Sequence, residues 1–190
     1  MRRTLPFFAA AILLQLAGCT LMQSKDDPAR NKQTVSLVNS LEWTNPVSGK
    51  PDGARTAWPL GDLGKHTEHF PLGQVKQCDA TGAICRWGVL SAHRNIQKLR
   101  FVPGGVALDV RVVVDVDRHQ EMRREGANTA MTLPSDVSAL RSSKALTQSL
   151  LLEYGKVHNI DFDFGIRYRV CVQRLDAARN YVEQCPIAHI

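Results

Sequence analysis

Residues 106–117 have the sequence Val-Ala-Leu-Asp-Val-Arg-Val-Val-Val-Asp-Val-Asp, in which apolar and polar side chains alternate. The aliphatic side chains of one face are Val106, Leu108, Val110, Val112, Val114 and Val116. The charged side chains of the other face are Asp109, Arg111, Asp115 and Asp117. Because successive side chains of a strand point to opposite faces, this period of two predicts a strand with one face in a core and the other in water.

The same alternation returns towards the C-terminus. The apolar members there are Phe162, Phe164, Ile166, Tyr168, Val170 and Val172, and the polar ones are Asp161, Asp163, Arg167, Arg169 and Gln173. Further strand candidates are residues 34–41, 85–93, 96–102, 146–154 and 181–187. Clean alternation of this kind is typical of antiparallel sheets that have one solvated face.

One helix is expected in a connection between strands, capped by Pro134-Ser135-Asp136 and ending near Lys144. The chain has no internal repeat and no alternation of helices with strands. The sequence therefore predicts an all-β, mainly antiparallel fold, a β-sandwich of about seven strands with one short helix. A partly closed β-barrel is the alternative.

Residues 45–73 contain five glycines and four prolines and have no sustained apolar period. They predict a long irregular loop, and loops of this length often carry function. Trp43, Trp58 and Phe70 lie in or beside this segment. Exposed aromatic side chains suit the recognition of a protein or a glycan, so these residues are binding candidates. The alternative is that they fold inward and cover the open edge of the sandwich.

The segment also holds His66 and His69, which are the remaining binding-loop candidates. Two imidazoles at this spacing can hold a metal on a helix, but the flanking Gly64 and Pro71 favour a loop, and no third ligand is evident. The pattern favours exposed loop histidines, with metal binding and catalysis as alternatives. No metal site and no cofactor is therefore predicted.

Four cysteines follow residue 19, and an even number in an exported domain indicates disulfides. Residues 79–82, Asp-Ala-Thr-Gly, form a turn sequence that would bring Cys78 opposite Cys85. A second hairpin would bring Cys171 opposite Cys185 on the outward face, with Gln173 opposite Glu183. These two local links are predicted, while a long-range pairing and a zinc site stay open as alternatives.

The first residues of the chain carry a targeting pattern. Arg2 and Arg3 precede an apolar run over residues 5–16, too short to span a membrane, and Leu16-Ala17-Gly18-Cys19 follows. This resembles the signal peptide and lipobox of bacterial lipoproteins, which implies cleavage after residue 18 and lipidation of Cys19. Thr20, where an aspartate would retain such a protein in the inner membrane, implies the outer membrane and its periplasmic leaflet. A tether over residues 19–33 and one domain over residues 34–190 are expected.

The net charge of +6 is dispersed, and no basic run after the leader is longer than Arg123-Arg124. A nucleic-acid partner is therefore not expected. The chain has no Gly-x-Ser-x-Gly motif, and every cysteine has an assignment, so no enzyme is predicted. The predicted function is a non-catalytic, lipid-anchored protein that binds the membrane through its lipid and another envelope protein through its domain.

Two other functions stay open. One is a periplasmic inhibitor or immunity protein that plugs a lytic enzyme, and the other is an envelope hydrolase or metal protein centred on His66 and His69. In architecture alone, the expected domain resembles the small lipidated β-sandwich subunits of secretion assemblies, such as the outer-membrane lipoprotein of the type VI system. That resemblance implies a place as an accessory or structural subunit.

Overall fold

A computed structural model describes residues 35–60, 67–124 and 126–188 of the chain. Its twelve strands are β1 (Val35–Thr44), β2 (Pro51–Pro59), β3 (Thr67–His69), β4 (Gly73–Cys78), β5 (Cys85–Val102), β6 (Gly105–Asp117), β7 (His119–Arg124), β8 (Ala127–Thr132), β9 (Ser142–Glu153), β10 (His158–Asp161), β11 (Arg167–Leu175) and β12 (Tyr181–Glu183). A 3-10 turn covers Asp163–Gly165. The all-β prediction is confirmed.

The strands form two main sheets and a separate ribbon, and every strand pair is antiparallel. The first sheet has the order β10-β11-β1-β2, with β12 beside β11. The second has the order β3-β5-β6-β9, with β4 beside β5. Strands β7 and β8 pair with each other and form the ribbon. A single bridge joins Tyr154, just after β9, to Val172 of β11, but no closed barrel forms among the described residues, so the sandwich is confirmed.

The core lies between the two sheets. The six aliphatic side chains of β6 that define its apolar face are all buried, at 3% exposure or less. They pack with Leu37 and Leu41 of β1 and with Tyr168 and Val170 of β11, which belong to the opposite sheet. The alternation in residues 106–117 therefore identified the inner face of the second sheet correctly, because burial of one face is what the period of two encodes.

The segment predicted as a long loop over residues 45–73 contains two strands, and this prediction is wrong. Strand β2 pairs with β1 along its whole length, from Thr44 opposite Pro51 to Ser36 opposite Pro59. The two prolines lie at its ends on a sheet edge, the positions where a strand tolerates them. Strand β3 follows and pairs with β5. The irregular parts that the structure describes are the tight turn over residues 45–50 and the short connection over residues 70–72.

The helix predicted from Pro134 to Lys144 is also wrong. Backbone hydrogen bonds join Ser138 and Leu140 to Trp87 of β5, and the Arg118 guanidinium donates to the carbonyls of Pro134 and Val137. Strand β9 begins at Ser142. An isolated helix of this length is marginal in water, so hydrogen bonds to the neighbouring strand and to Arg118 decide the conformation.

Both predicted disulfides are present, Cys78–Cys85 and Cys171–Cys185. The predicted register of the second hairpin is wrong by one residue, because a bulge places Arg174 opposite Glu183 and ends β12 there. Cys171 does lie on the outward face of the first sheet, but it is buried with Val38, Cys185 and Ile187 in a second small core. The C-terminal segment thus covers the outer face of the sheet.

The predicted leader over residues 1–18, Cys19 and the tether over residues 19–33 lie outside the described residues. Within the described ranges, no helix is long and apolar enough to cross a membrane.

Candidate functional site

The aromatic side chains predicted as binding candidates are turned towards the core. Trp43 and Phe70 are buried in the main core, and Trp58 on β2 is half-buried against it. A Cβ added to Gly73 would lie 2.5 Å from the Trp43 ring, so this indole packs directly on the backbone of β4. Inward packing, the alternative expected from the sequence, is observed for Trp43 and Phe70 and in part for Trp58. His69 is exposed on β3, and His66 lies outside the described residues.

The turn between β1 and β2 displays an apolar side chain on a well-ordered scaffold. Backbone hydrogen bonds join Asn45 to Gly49 and to Lys50, and the Asn45 side chain accepts from the amides of Val47 and Ser48 at 3.0 and 3.1 Å. These bonds hold the turn in one conformation. Val47 is nevertheless 80% exposed, which makes it a preformed apolar tip.

The hairpin between β4 and β5 displays a second apolar tip. The Cys78–Cys85 disulfide closes it, and Asp79 accepts hydrogen bonds from the Thr81 hydroxyl and the Ala83 amide at 2.9 and 3.0 Å. These hydrogen bonds lower the pKa of Asp79 below its usual value. Ile84, at the end of this cross-linked loop, is 65% exposed. The loop therefore presents a large aliphatic side chain with little entropy left to lose on binding.

Both tips lie at the same end of the sandwich, which we call the distal end. Strand β1 starts at Val35 and reaches Trp43 near its far end, where the indole meets Gly73 at the start of β4. Strand β4 runs on from there to the disulfide hairpin. The turn with Val47 and the hairpin with Ile84 thus lie away from Val35, the residue at which the described chain enters the domain.

A buried polar cluster joins the two sheets. Arg94 of β5 is fully buried, and its Nη2 lies 2.6 Å from Oε2 of Glu68 on β3. Arg94 Nε donates to Oδ1 of Asn39 on β1 at 2.7 Å, and the Tyr168 hydroxyl of β11 donates to the same oxygen at 3.2 Å. The Asn39 amide donates to the Thr56 hydroxyl of β2. Five strands therefore meet at one hydrogen-bonded set of side chains.

This cluster is enclosed, so its chemistry is structural. Burial raises the pKa of Tyr168 well above its ordinary value, because the phenolate form is disfavoured away from water. Our sequence interpretation missed the cluster. The signal was available, because Arg94 lies between Ala92 and Ile96 on the apolar stripe of β5, and a charged side chain in such a position requires a buried partner. The identity of that partner, Glu68, depends on the strand pairing.

The outer face of the second sheet carries a groove of about 400 Å³ near the end of β5. Asp109 lies in its lining, 3.0 Å from Lys98 Nζ and accepting a hydrogen bond from the Ser149 hydroxyl at 2.6 Å. Both contacts lower the pKa of Asp109, the hydrogen bond from Ser149 most of all. Leu151 adds an apolar side chain that is 68% exposed. Because Lys98 and Arg100 face Asp109 alone, the lining of the groove carries one net positive charge.

Aspartates on the outer faces of the two sheets serve as ion-pair and hydrogen-bond partners. Asp117 lies 3.2 Å from Arg141 Nε, and Asp161 lies 2.6 Å from Arg167 Nε. Asp115 accepts from the Ser143 hydroxyl at 2.6 Å. No group of three or more histidine, cysteine or acidic side chains able to hold a metal ion occurs among the residues that the structure describes.

Comparison of the chain with models of protein families, with curated proteins and with solved structures finds no match.

Proposed function

We propose that this chain is a non-catalytic lipoprotein, anchored to the outer membrane at Cys19 and facing the periplasm, that binds another envelope protein with its distal end. The observation that carries the proposal is the pair of rigid apolar tips, Val47 and Ile84, at the end of the sandwich away from Val35. A lipid anchor that precedes Val35 would leave this end free to meet a partner.

The two disulfides support an envelope location. Such bonds form and persist in oxidising compartments, and the bacterial periplasm is one of them. The leader with its Leu16-Ala17-Gly18-Cys19 sequence supports the lipid anchor. Several acyl chains on one cysteine are needed for durable anchoring, because a single chain holds only weakly.

The lipid anchor is tested by measuring the intact mass of the protein. The intact protein extracted from membranes should begin at Cys19 and carry additional acyl mass. Cys19→Ala should abolish both processing at this site and acylation, while Cys78→Ala, which affects a disulfide cysteine, should leave the acyl mass in place. A Cys19→Ala protein that is still acylated and membrane-bound would contradict the anchor.

Partner binding is tested at the distal tips. Ile84→Asp and Val47→Asp should each weaken capture of the partner by about 30-fold, which corresponds to the loss of ~2 kcal/mol expected of an interface hot spot. The midpoint of thermal unfolding should stay nearly unchanged, because exposed substitutions alter stability by only about 0.5 kcal/mol. The measurement is crosslinking and pull-down from intact envelopes with the full chain, followed by titration of the captured protein.

Leu151→Asp is the matched control. Leu151 is as exposed as Ile84, but it lies at the other end of the second sheet. It pairs with Ala107 of β6, which pairs with Arg100 near the end of β5, whereas Ile84 directly precedes the start of β5. Capture should therefore be unchanged in Leu151→Asp. If this variant loses the partner while both distal variants keep it, the interface lies at the other end and the proposal is wrong.

The inhibitor hypothesis is the second candidate, and the narrow cross-linked loop between Cys78 and Cys85 favours it. A rigid loop of this kind can enter a concave site with little ordering cost. Recovery of a single lytic enzyme with the wild-type chain, inhibited in proportion to the amount bound, would support an inhibitor. Recovery of a multi-protein membrane assembly would support an accessory subunit.

A further inference from the structure

Two histidines lie directly opposite each other on the outer face of the second sheet. His69 of β3 pairs with His93 of β5. The Phe70 amide donates to the Ala92 carbonyl, so these two residues form a hydrogen-bonded pair of the ladder. Such pairs alternate along an antiparallel ladder with non-hydrogen-bonded pairs, and His69–His93 is therefore a non-hydrogen-bonded pair. Side chains approach most closely at such positions. The two imidazole ring centres are accordingly 5.4 Å apart, with the ring planes inclined at 34°.

This separation matches the distance between two imidazoles that share a tetrahedral metal ion. With a Zn–N bond of about 2.0–2.1 Å, a ring centre about 1.1 Å beyond the nitrogen and a tetrahedral angle at the metal, the two ring centres would be about 5.2 Å apart. The separation of the ring centres therefore allows both imidazoles to bind one ion.

The ring nitrogens of both histidines are available. Within the described residues, neither imidazole has a hydrogen bond or an ion pair, and the two rings contact each other. Three titratable side chains lie close enough to interact electrostatically with His93, namely His69, Asp115 and Arg111. Asp115 is diagonal to His93 on the same face, because it pairs with Ser91, two residues away. Arg111 is diagonal to His93 on the other side, because it pairs with Asn95, so the two charges offset each other.

We propose that His69 and His93 form a binding site for a divalent transition metal that prefers imidazole ligands, with Zn²⁺ as the ion whose geometry fits best. The two histidines supply two ligands, and water completes the coordination shell. The site differs from the His66–His69 pair considered from the sequence, because the partner of His69 is 24 residues away along the chain and adjacent across the sheet. The inference stands independently of the proposed function.

The test is a titration of the full chain, stripped of metal with a chelator, with ZnCl₂ alone. One Zn²⁺ should bind per chain, and excess Zn²⁺ should raise the midpoint of thermal unfolding. His69→Ala and His93→Ala should each weaken binding by more than tenfold, since even loss of a group that merely supports a metal ligand costs about 10–100-fold. His119→Ala is the matched control, since His119 is an exposed strand histidine that bonds to Thr132 and Glu121.

NMR spectra locate the ion. Trace Cu²⁺, a paramagnetic ion that also favours imidazole, should broaden the ring signals of His69 and His93 before those of the other histidines. His69→Ala replaces an exposed side chain, so thermal unfolding without metal should confirm that this variant is folded. If folded His69→Ala binds Zn²⁺ as tightly as the wild type, or if His119→Ala weakens binding equally, the site is elsewhere and the proposal is overturned.

Discussion

Replacing Arg94 by methionine is expected to lower the free energy of unfolding by about 3–5 kcal/mol, the loss typical when one partner of a buried ion pair is removed. Arg94 is fully buried and Glu68 is 6% exposed, so the substitution leaves a carboxylate without its cation in the core. It also removes the donor to Asn39. For a domain of this size, the midpoint of thermal unfolding should fall by about 6–20 °C.

A double substitution is the control that separates charge from packing. Arg94→Met combined with Glu68→Leu removes both charges together, and apolar replacement of a whole buried pair is often neutral or stabilising by about 1–4 kcal/mol. The double variant should therefore recover most of the stability lost in Arg94→Met alone. A single variant as stable as the wild type would show that Glu68 reaches water, and it would contradict the account of the cluster as enclosed.

The cluster explains why the sandwich has one arrangement of its two sheets. Arg94 and Glu68 come from the second sheet, whereas Asn39, Thr56 and Tyr168 come from the first. Aliphatic side chains pack in many relative positions, but these polar groups are satisfied in few of them. Sliding one sheet along the other by a residue would separate Arg94 from Asn39. The alternation of side chains along each strand determines which face is buried, and the polar cluster determines how the two buried faces align with each other.

The strands that the sequence predicted best are those whose inner face is purely aliphatic. Strand β6 is the clearest case, because every inward position from Val106 to Val116 is apolar. The predicted break between residues 85–93 and 96–102 was wrong, since β5 is continuous over 18 residues. Arg94 interrupted the apolar pattern there, although its side chain is buried. A pattern of hydrophobicity cannot distinguish a buried charge with a partner from an exposed one.

Strand β2 was missed for a related reason. Its inward positions include Thr56, which bonds to Asn39, and Ala54, so the segment lacks a run of large apolar side chains. The local disulfides were predictable, because the turn sequence and the short separations limited the geometry. The His69–His93 pair was not, since the contact depends on how two short strands align across the sheet. Residues distant in sequence meet through register, which a single sequence encodes only indirectly.

Removing the Cys171–Cys185 disulfide is the second change with a large expected effect. The link joins cysteines 14 positions apart in the sequence, and its loss should cost about 3 kcal/mol in chain entropy alone. Both cysteines are buried with Val38 and Ile187, so releasing the C-terminal segment would also expose this second core. The hydrogen bond from Arg55 Nε to the Ile187 carbonyl, at 2.9 Å, would be lost with it.

The Cys78–Cys85 link is the matched comparison, because its sequence separation is 7 and the hairpin that it closes is largely exposed. The chain-entropy relation gives about 2.5 kcal/mol for it, close to the value for the longer loop. The difference in stability between the two disulfide variants should therefore depend on the packing around each disulfide. Cys171→Ala/Cys185→Ala should unfold at a lower temperature than Cys78→Ala/Cys85→Ala and should lose amide protection at Val38 and its neighbours on β1. Equal melting midpoints, with β1 still protected in both variants, would mean that the C-terminal segment stays in place without its disulfide, held by Ile187 and the Arg55 hydrogen bond.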